Sequence, residues 1–77
     1  MGERALQPAH EARVGRIVGR VWPHANPKGE VWYSTVISRE FLDPGGTVRT
    51  AQSFGRDDLP AVAEVARRCR EWVDANR

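Results

Sequence analysis

The run Val31-Trp32-Tyr33-Ser34-Thr35-Val36-Ile37-Ser38-Arg39-Glu40-Phe41-Leu42 constrains this chain more than any other feature. It contains no glycine and no proline, and β-branched and aromatic side chains dominate it. Such residues pack well on a pleated surface and lose rotamer freedom in a helix. A strand cannot satisfy its own backbone donors and acceptors, so the rest of the chain must supply strands beside it. The next residues do so. Asp43-Pro44-Gly45-Gly46 is a tight turn: Asp bonds its own backbone, Pro fixes φ, and glycine accepts positive φ. Residues 47–54 then read as a returning strand, which makes an antiparallel hairpin.

Upstream, residues 13–22 read as a further strand, with Val14, Ile17, Val18, Val21 and Trp22 in a β-branched stretch ending at Pro23. Gly15 and Gly19 interrupt it, and a glycine inside a strand marks a bulge or the close approach of another backbone. His24-Ala25-Asn26-Pro27-Lys28-Gly29 is a loop. Residues 58–75 lack glycine and repeat Leu59, Val62, Ala66, Cys69 and Val73 at helical steps. Asp57 or Asp58 is placed to cap that helix, and Pro60 falls in its first turn, where a missing N–H is harmless. The expected fold is therefore α+β, in the order β-β-β-α. An antiparallel sheet carries one C-terminal amphipathic helix across a face. Residues 1–11, with Gly2, Pro8 and mixed charges, are expected to be a flexible tail, and residues 12–77 a single domain.

Seventy-seven residues bury only roughly 60% of the extended chain's surface, which leaves a small stability margin. The helix also holds apolar residues beside its main stripe, Val65 and Trp72. With Cys69 they form an expected homodimer contact, unless a loop or the tail covers Trp72.

Several functions are excluded by what the sequence lacks. No apolar run approaches the roughly 20 residues that span a bilayer, and the first residues have no apolar core of a secretory signal. One cysteine, Cys69, makes neither an internal disulfide nor a cysteine-based zinc site, in keeping with a cytoplasmic compartment. His10 and His24 have no spaced partners for metal binding or general-base work. Gly45-Gly46 is followed by no helix and no Gly-Lys-Ser/Thr, so it is not a phosphate loop. The expectation is a non-enzyme without cofactor, metal or small-molecule substrate.

The net charge is only +2, yet eleven of the twelve basic residues are arginine. Arginine suits bidentate and stacked contacts with phosphate; GC-rich coding produces the same bias. Each predicted strand carries arginine, and the first two carry Trp or Tyr nearby. Arg16, Arg20, Arg39 and Arg49, with Trp22 and Tyr33, are therefore candidates for a sheet face that pairs phosphates and stacks unpaired bases. The alternative for the same residues is a solvated face whose arginine stems cover apolar neighbours.

Two resemblances follow from these residues. The pattern WYS…SR…SFGRDDL, in Trp32-Tyr33-Ser34, Ser38-Arg39 and Ser53 to Leu59, resembles a group of short bacterial proteins of uncharacterised activity. The layout of antiparallel strands before one C-terminal helix is similar to the single-stranded-DNA-binding fold of the coactivator positive cofactor four and the plant Whirly regulators. That resemblance implies a homodimer paired through its helices, with Val65 and Trp72 in that role. It also implies a curved sheet that holds unpaired strands, with Arg16, Arg20, Trp22 and Arg39 on it, in transcription, replication or recombination. Two features depart from that family: it has four strands where three are legible here, and a lysine-rich ridge where this chain scatters arginine. The expected partner is single-stranded nucleic acid read with little sequence preference; the alternative is a small protein-interaction or assembly module, which would use the same face or the open edge of the first strand.

Overall fold

The computed structural model describes residues 7–77. Four strands form one antiparallel sheet in chain order: β1 (His10–Val14), β2 (Ile17–Ala25), β3 (Val31–Leu42) and β4 (Val48–Ala51). A 3-10 turn (Arg56–Asp58) leads into the single helix α1 (Leu59–Asn76). The α+β class, the antiparallel sheet and the C-terminal helix are as the sequence implies. The strand count is four.

The extra strand arises at Gly15. What the sequence presents as one strand over 13–22 is a hairpin that folds back on itself, pairing Val14 with Ile17 across Gly15-Arg16. Gly15 has φ of 59°, and no residue other than glycine has positive φ among the described residues. That is a two-residue turn with glycine in its first central position, whose twist suits a hairpin. The hairpin takes His10 and Glu11 out of the expected tail and into β1. Residues 1–6 of that tail lie outside the described residues.

Strand β2 also runs through Pro23 rather than stopping before it. Pro23 lies opposite Tyr33, and the ladder to β1 ends at His10 and Val21. Across β2 and β3 the Glu40 N–H donates to the Arg16 carbonyl at 2.8 Å, so even-numbered β3 residues face β2 with their backbone groups. Pro23 therefore sits at a position that needs no donor toward β3, and its nitrogen points past the end of β1.

Helix α1 lies over β1 and β2 and reaches β3. The core between them is Ala12, Ile17, Val21, Val65 and Cys69, with Ile37, Phe54, Ala61, Val62, Trp72 and Val73 packed around it. Gly19 lets the helix approach the sheet, because a Cβ there would meet Val65 and Cys69. The buried arc thus centres on Val65 and Cys69, while Leu59 and Ala66 of the expected stripe are exposed. Val65, Cys69 and Trp72 are occupied within the chain, and the homodimer expected through them has no support here.

Candidate nucleic-acid interface

Side chains opposite each other in an antiparallel ladder share a face. The register therefore assigns every strand residue to the helix side or to the open side. Ile17, Gly19, Val21, Tyr33, Ile37 and Arg39 are on the helix side. On the open side are Glu11 and Arg13 of β1, Val18, Arg20, Trp22 and His24 of β2, Trp32, Ser34, Val36, Ser38 and Glu40 of β3, and Thr50 of β4.

This assignment divides the six residues expected to make one binding face. Arg20 and Trp22 are together on the open side. Tyr33 and Arg39 are on the other, because they stand opposite Pro23 and Ile17. The Tyr33 hydroxyl donates to the Asn76 carbonyl at 3.1 Å, and its ring meets Trp72 edge-on at 5.2 Å. Arg39 Nε donates to the Ser53 carbonyl at 3.0 Å, and its guanidinium lies 5.3 Å from the centre of the Phe41 ring. Arg49, opposite Phe41, donates to Asp43 at 2.6 Å. Arg16 is in the β1–β2 turn and clamps Asp58 with two hydrogen bonds, of 3.0 and 3.2 Å. The single six-residue platform does not form.

Asp58 also differs from its expected role. Its carboxylate accepts the Gly55 N–H at 2.9 Å, capping the 3-10 turn, and makes no side-chain cap on α1. The Arg16 guanidinium, and then the Gly55 N–H, hold that carboxyl below its ordinary range.

The open side has two halves of different character. At the β1 end, Arg13 bonds Glu40 at 2.8 Å, and Arg20 reaches Glu11 at 2.8 Å and Glu40 at 3.4 Å. Val18 stands opposite Arg13 and between these groups, and it is fully buried although no helix covers it. The arginine stems serve there as its cover. Arg13, and more weakly Arg20, hold the Glu40 carboxyl below its usual value. Two guanidinium and two carboxylate groups leave this half electrically neutral.

The other half is aromatic. His24 stacks on Trp32 with centroids 4.2 Å apart, and its Nε2 is 2.7 Å from Ser34 Oγ. Trp32 is 55% exposed and Val36 43%, so the indole is available to a ligand. Beside them a depression of about 450 Å³ is lined by Arg20, Trp22, Val36, Ser38, Thr50 and Gln52. Trp32 and His24 lie outside the set of residues that the sequence alone picks out for the binding face. Strict alternation along 31–42 places Trp32 with Val36 and Leu42, but which face carries the helix is fixed only by pairing with Gly19.

Among the described residues there is no group of three potential metal ligands and no helix long and apolar enough to cross a membrane. Burial pushes the Cys69 thiol up. No family model, curated protein or solved structure matches the chain.

Proposed function

We propose that the open sheet face binds single-stranded nucleic acid, with Trp22 and Trp32 as stacking surfaces and Arg20 as the adjoining cation. The observation that carries this reading is two indoles on one uncovered sheet face beside a depression. Base stacking on an aromatic ring contributes roughly 1–3 kcal/mol per base and tolerates any sequence. Ser34, Ser38, Thr50 and Gln52 add hydroxyl and amide groups that accept or donate, which suits a polar base edge. The four-stranded meander followed by one helix supports the same reading, since it supplies the strand missing from the layout of the positive-cofactor-four and Whirly fold.

Because Arg20 is shared between Glu11 and Glu40, stacking outweighs phosphate pairing. Binding should therefore depend on salt only shallowly for a nucleic-acid ligand. Fluorescence anisotropy of a labelled unpaired oligonucleotide tests this. Trp32→Ala should weaken binding about tenfold, from the stacking energy of one base. No binding at micromolar protein in low salt removes the proposal.

A second reading, a protein-interaction module, is favoured by one observation: carboxylates stand on the same face, and Trp32, Val36, Leu42 and Val48 are exposed there. An apolar, charge-balanced surface suits a protein partner. A partner captured after nuclease treatment, and lost with Trp32→Ala, would select it.

A further inference from the structure

Strand β3 is much longer than the strand on its outer side. It pairs with β2 from Val31 to Arg39, but β4 covers only Arg39 to Leu42. Residues 31–38 therefore present a bare sheet edge. The Glu40-to-Arg16 bond fixes the phase, and the Asn26-to-Glu30 bond at 3.1 Å agrees with it. Both place even-numbered residues toward β2. Val31, Tyr33, Thr35 and Ile37 thus point their N–H and C=O groups outward. Among the described residues, none of these backbone groups has a hydrogen-bond partner on that side.

Exposed edges of this kind template pairing with another chain, and proteins ordinarily blunt them with charge, proline or a bulge. Residues 31–38 contain none of these: no charged residue, no proline, no glycine. The other edges are guarded, β1 by Glu11 and Arg13 and β4 by Arg49.

We infer that this edge pairs with the same edge of a second copy, antiparallel, about a two-fold axis through Ser34. One register uses every outward group. With Ser34 opposite itself, Val31 meets Ile37 of the second copy and Tyr33 meets Thr35 of the second copy. The outward donors and acceptors of both chains are then all paired. Sliding to the neighbouring register with the same facing leaves Val31 or Ile37 unpaired. On the open face this register sets Trp32 against Val36 of the second copy, twice. An aromatic and a β-branched residue directly opposite is a favourable cross-strand pair. Both are exposed in the single chain, as is Val31. The segment is uncharged, so self-pairing opposes no like charges. Two four-stranded sheets would join into one of eight strands, and β4 stops the ladder at Arg39. This inference does not rest on what the open face binds.

The mass in solution tests it, with the intact chain and three variants. The wild type should sediment at twice the 8.7 kDa of one chain. Thr35→Pro removes an outward N–H that is unused in the single chain, so it should give the single-chain mass with an unchanged circular dichroism spectrum. Ser34→Glu should do the same by opposing two carboxylates on the axis. Ser34→Cys should form a disulfide-linked dimer on oxidation, whereas Glu30→Cys should not. A wild-type monomer overturns the proposal, as does a dimer that Thr35→Pro and Ser34→Glu both leave intact. A dimer that appears only when residues 1–6 are removed would assign the edge to the chain's own start, and also overturns it.

Discussion

Gly19 and Val65 occupy one position between sheet and helix: a Cβ on Gly19 would lie 2.5 Å from Val65 Cγ1 and 2.9 Å from Cys69 Sγ. Both neighbours are essentially inaccessible to solvent, so neither has room to move aside. Helix α1 can cross β2 at this distance only because position 19 has no side chain. Gly19→Ala should destabilise the fold by about 2 kcal/mol, the range for overpacking a tight core. For a domain this size that is a fall in Tm of about 10 °C. Combined with Val65→Ala, the loss should be less than the sum of the two single losses. Additive losses in thermal unfolding would place the helix elsewhere.

Acid sensitivity should centre on Asp58. Its carboxyl is held low by Arg16 in the folded chain, and an ordinary carboxyl of this type titrates near 3.8. The unfolded chain therefore takes up protons first as pH falls. The stability from this group is full above the ordinary value and is lost as pH drops through the lower folded one. Glu64 shows the same direction, held down from 4.5 to about 2 by Arg67 and then Arg68. Glu64 is on the helix surface, where salt screens the pair and its contribution is small. Asp58→Asn should lower the urea midpoint at neutral pH and flatten its decline below about pH 4. Glu64→Gln should change both little. An unaltered acid slope in Asp58→Asn would move the sensitivity to another carboxylate.

The end of α1 is fastened by aromatic contacts. Trp72 stacks on His10 at 5.2 Å with 9° between the planes, and meets Tyr33 at 83°. Trp72→Ala should destabilise by about 2–3 kcal/mol, near the low end for a large aromatic because the ring is only half-buried. It should also raise amide exchange in the last helical turn ahead of the rest. Exchange rising evenly over the whole helix would deny Trp72 that local role.

These contacts show where the sequence was readable. The run 31–42 is the observed strand to the residue, because twelve residues without glycine or proline leave little else to form. Asp43 closes the following turn by accepting the Gly45 and Thr47 N–H groups, as its side chain allows. Gly19 is the close approach that a strand glycine signals. Gly15 carried the same signal with a different meaning, a reversal, and periodicity over 13–22 does not separate the two. The helix phase was also hidden: Val62 and Cys69 fit either arc, and only the gap at Gly19 selects the one with Val65. The faces of β3 are both partly apolar, with Tyr33, Ile37 and Phe41 on one and Trp32, Val36 and Leu42 on the other. Alternation alone left Tyr33 and Trp32 equally eligible for the outside.

Glu40 offers the sharpest separation of the two readings of the open face. It bonds Arg13 and Arg20 together, and its removal changes charge without changing shape, since Gln keeps the length of the side chain. If phosphates approach this half, Glu40→Gln frees the Arg13 guanidinium, leaves Arg20 with Glu11 alone, and turns a neutral cluster into one of charge about +1. Oligonucleotide affinity should then rise about threefold to tenfold at low salt, and the dependence on salt should steepen by about one counterion. A protein partner matched to the present charge pattern would instead bind more weakly. Val18 stays covered by the arginine stems, so thermal stability should fall only slightly and the binding comparison remains clean. Unchanged oligonucleotide affinity would confine any nucleic-acid contact to the aromatic half, around Trp22 and Trp32.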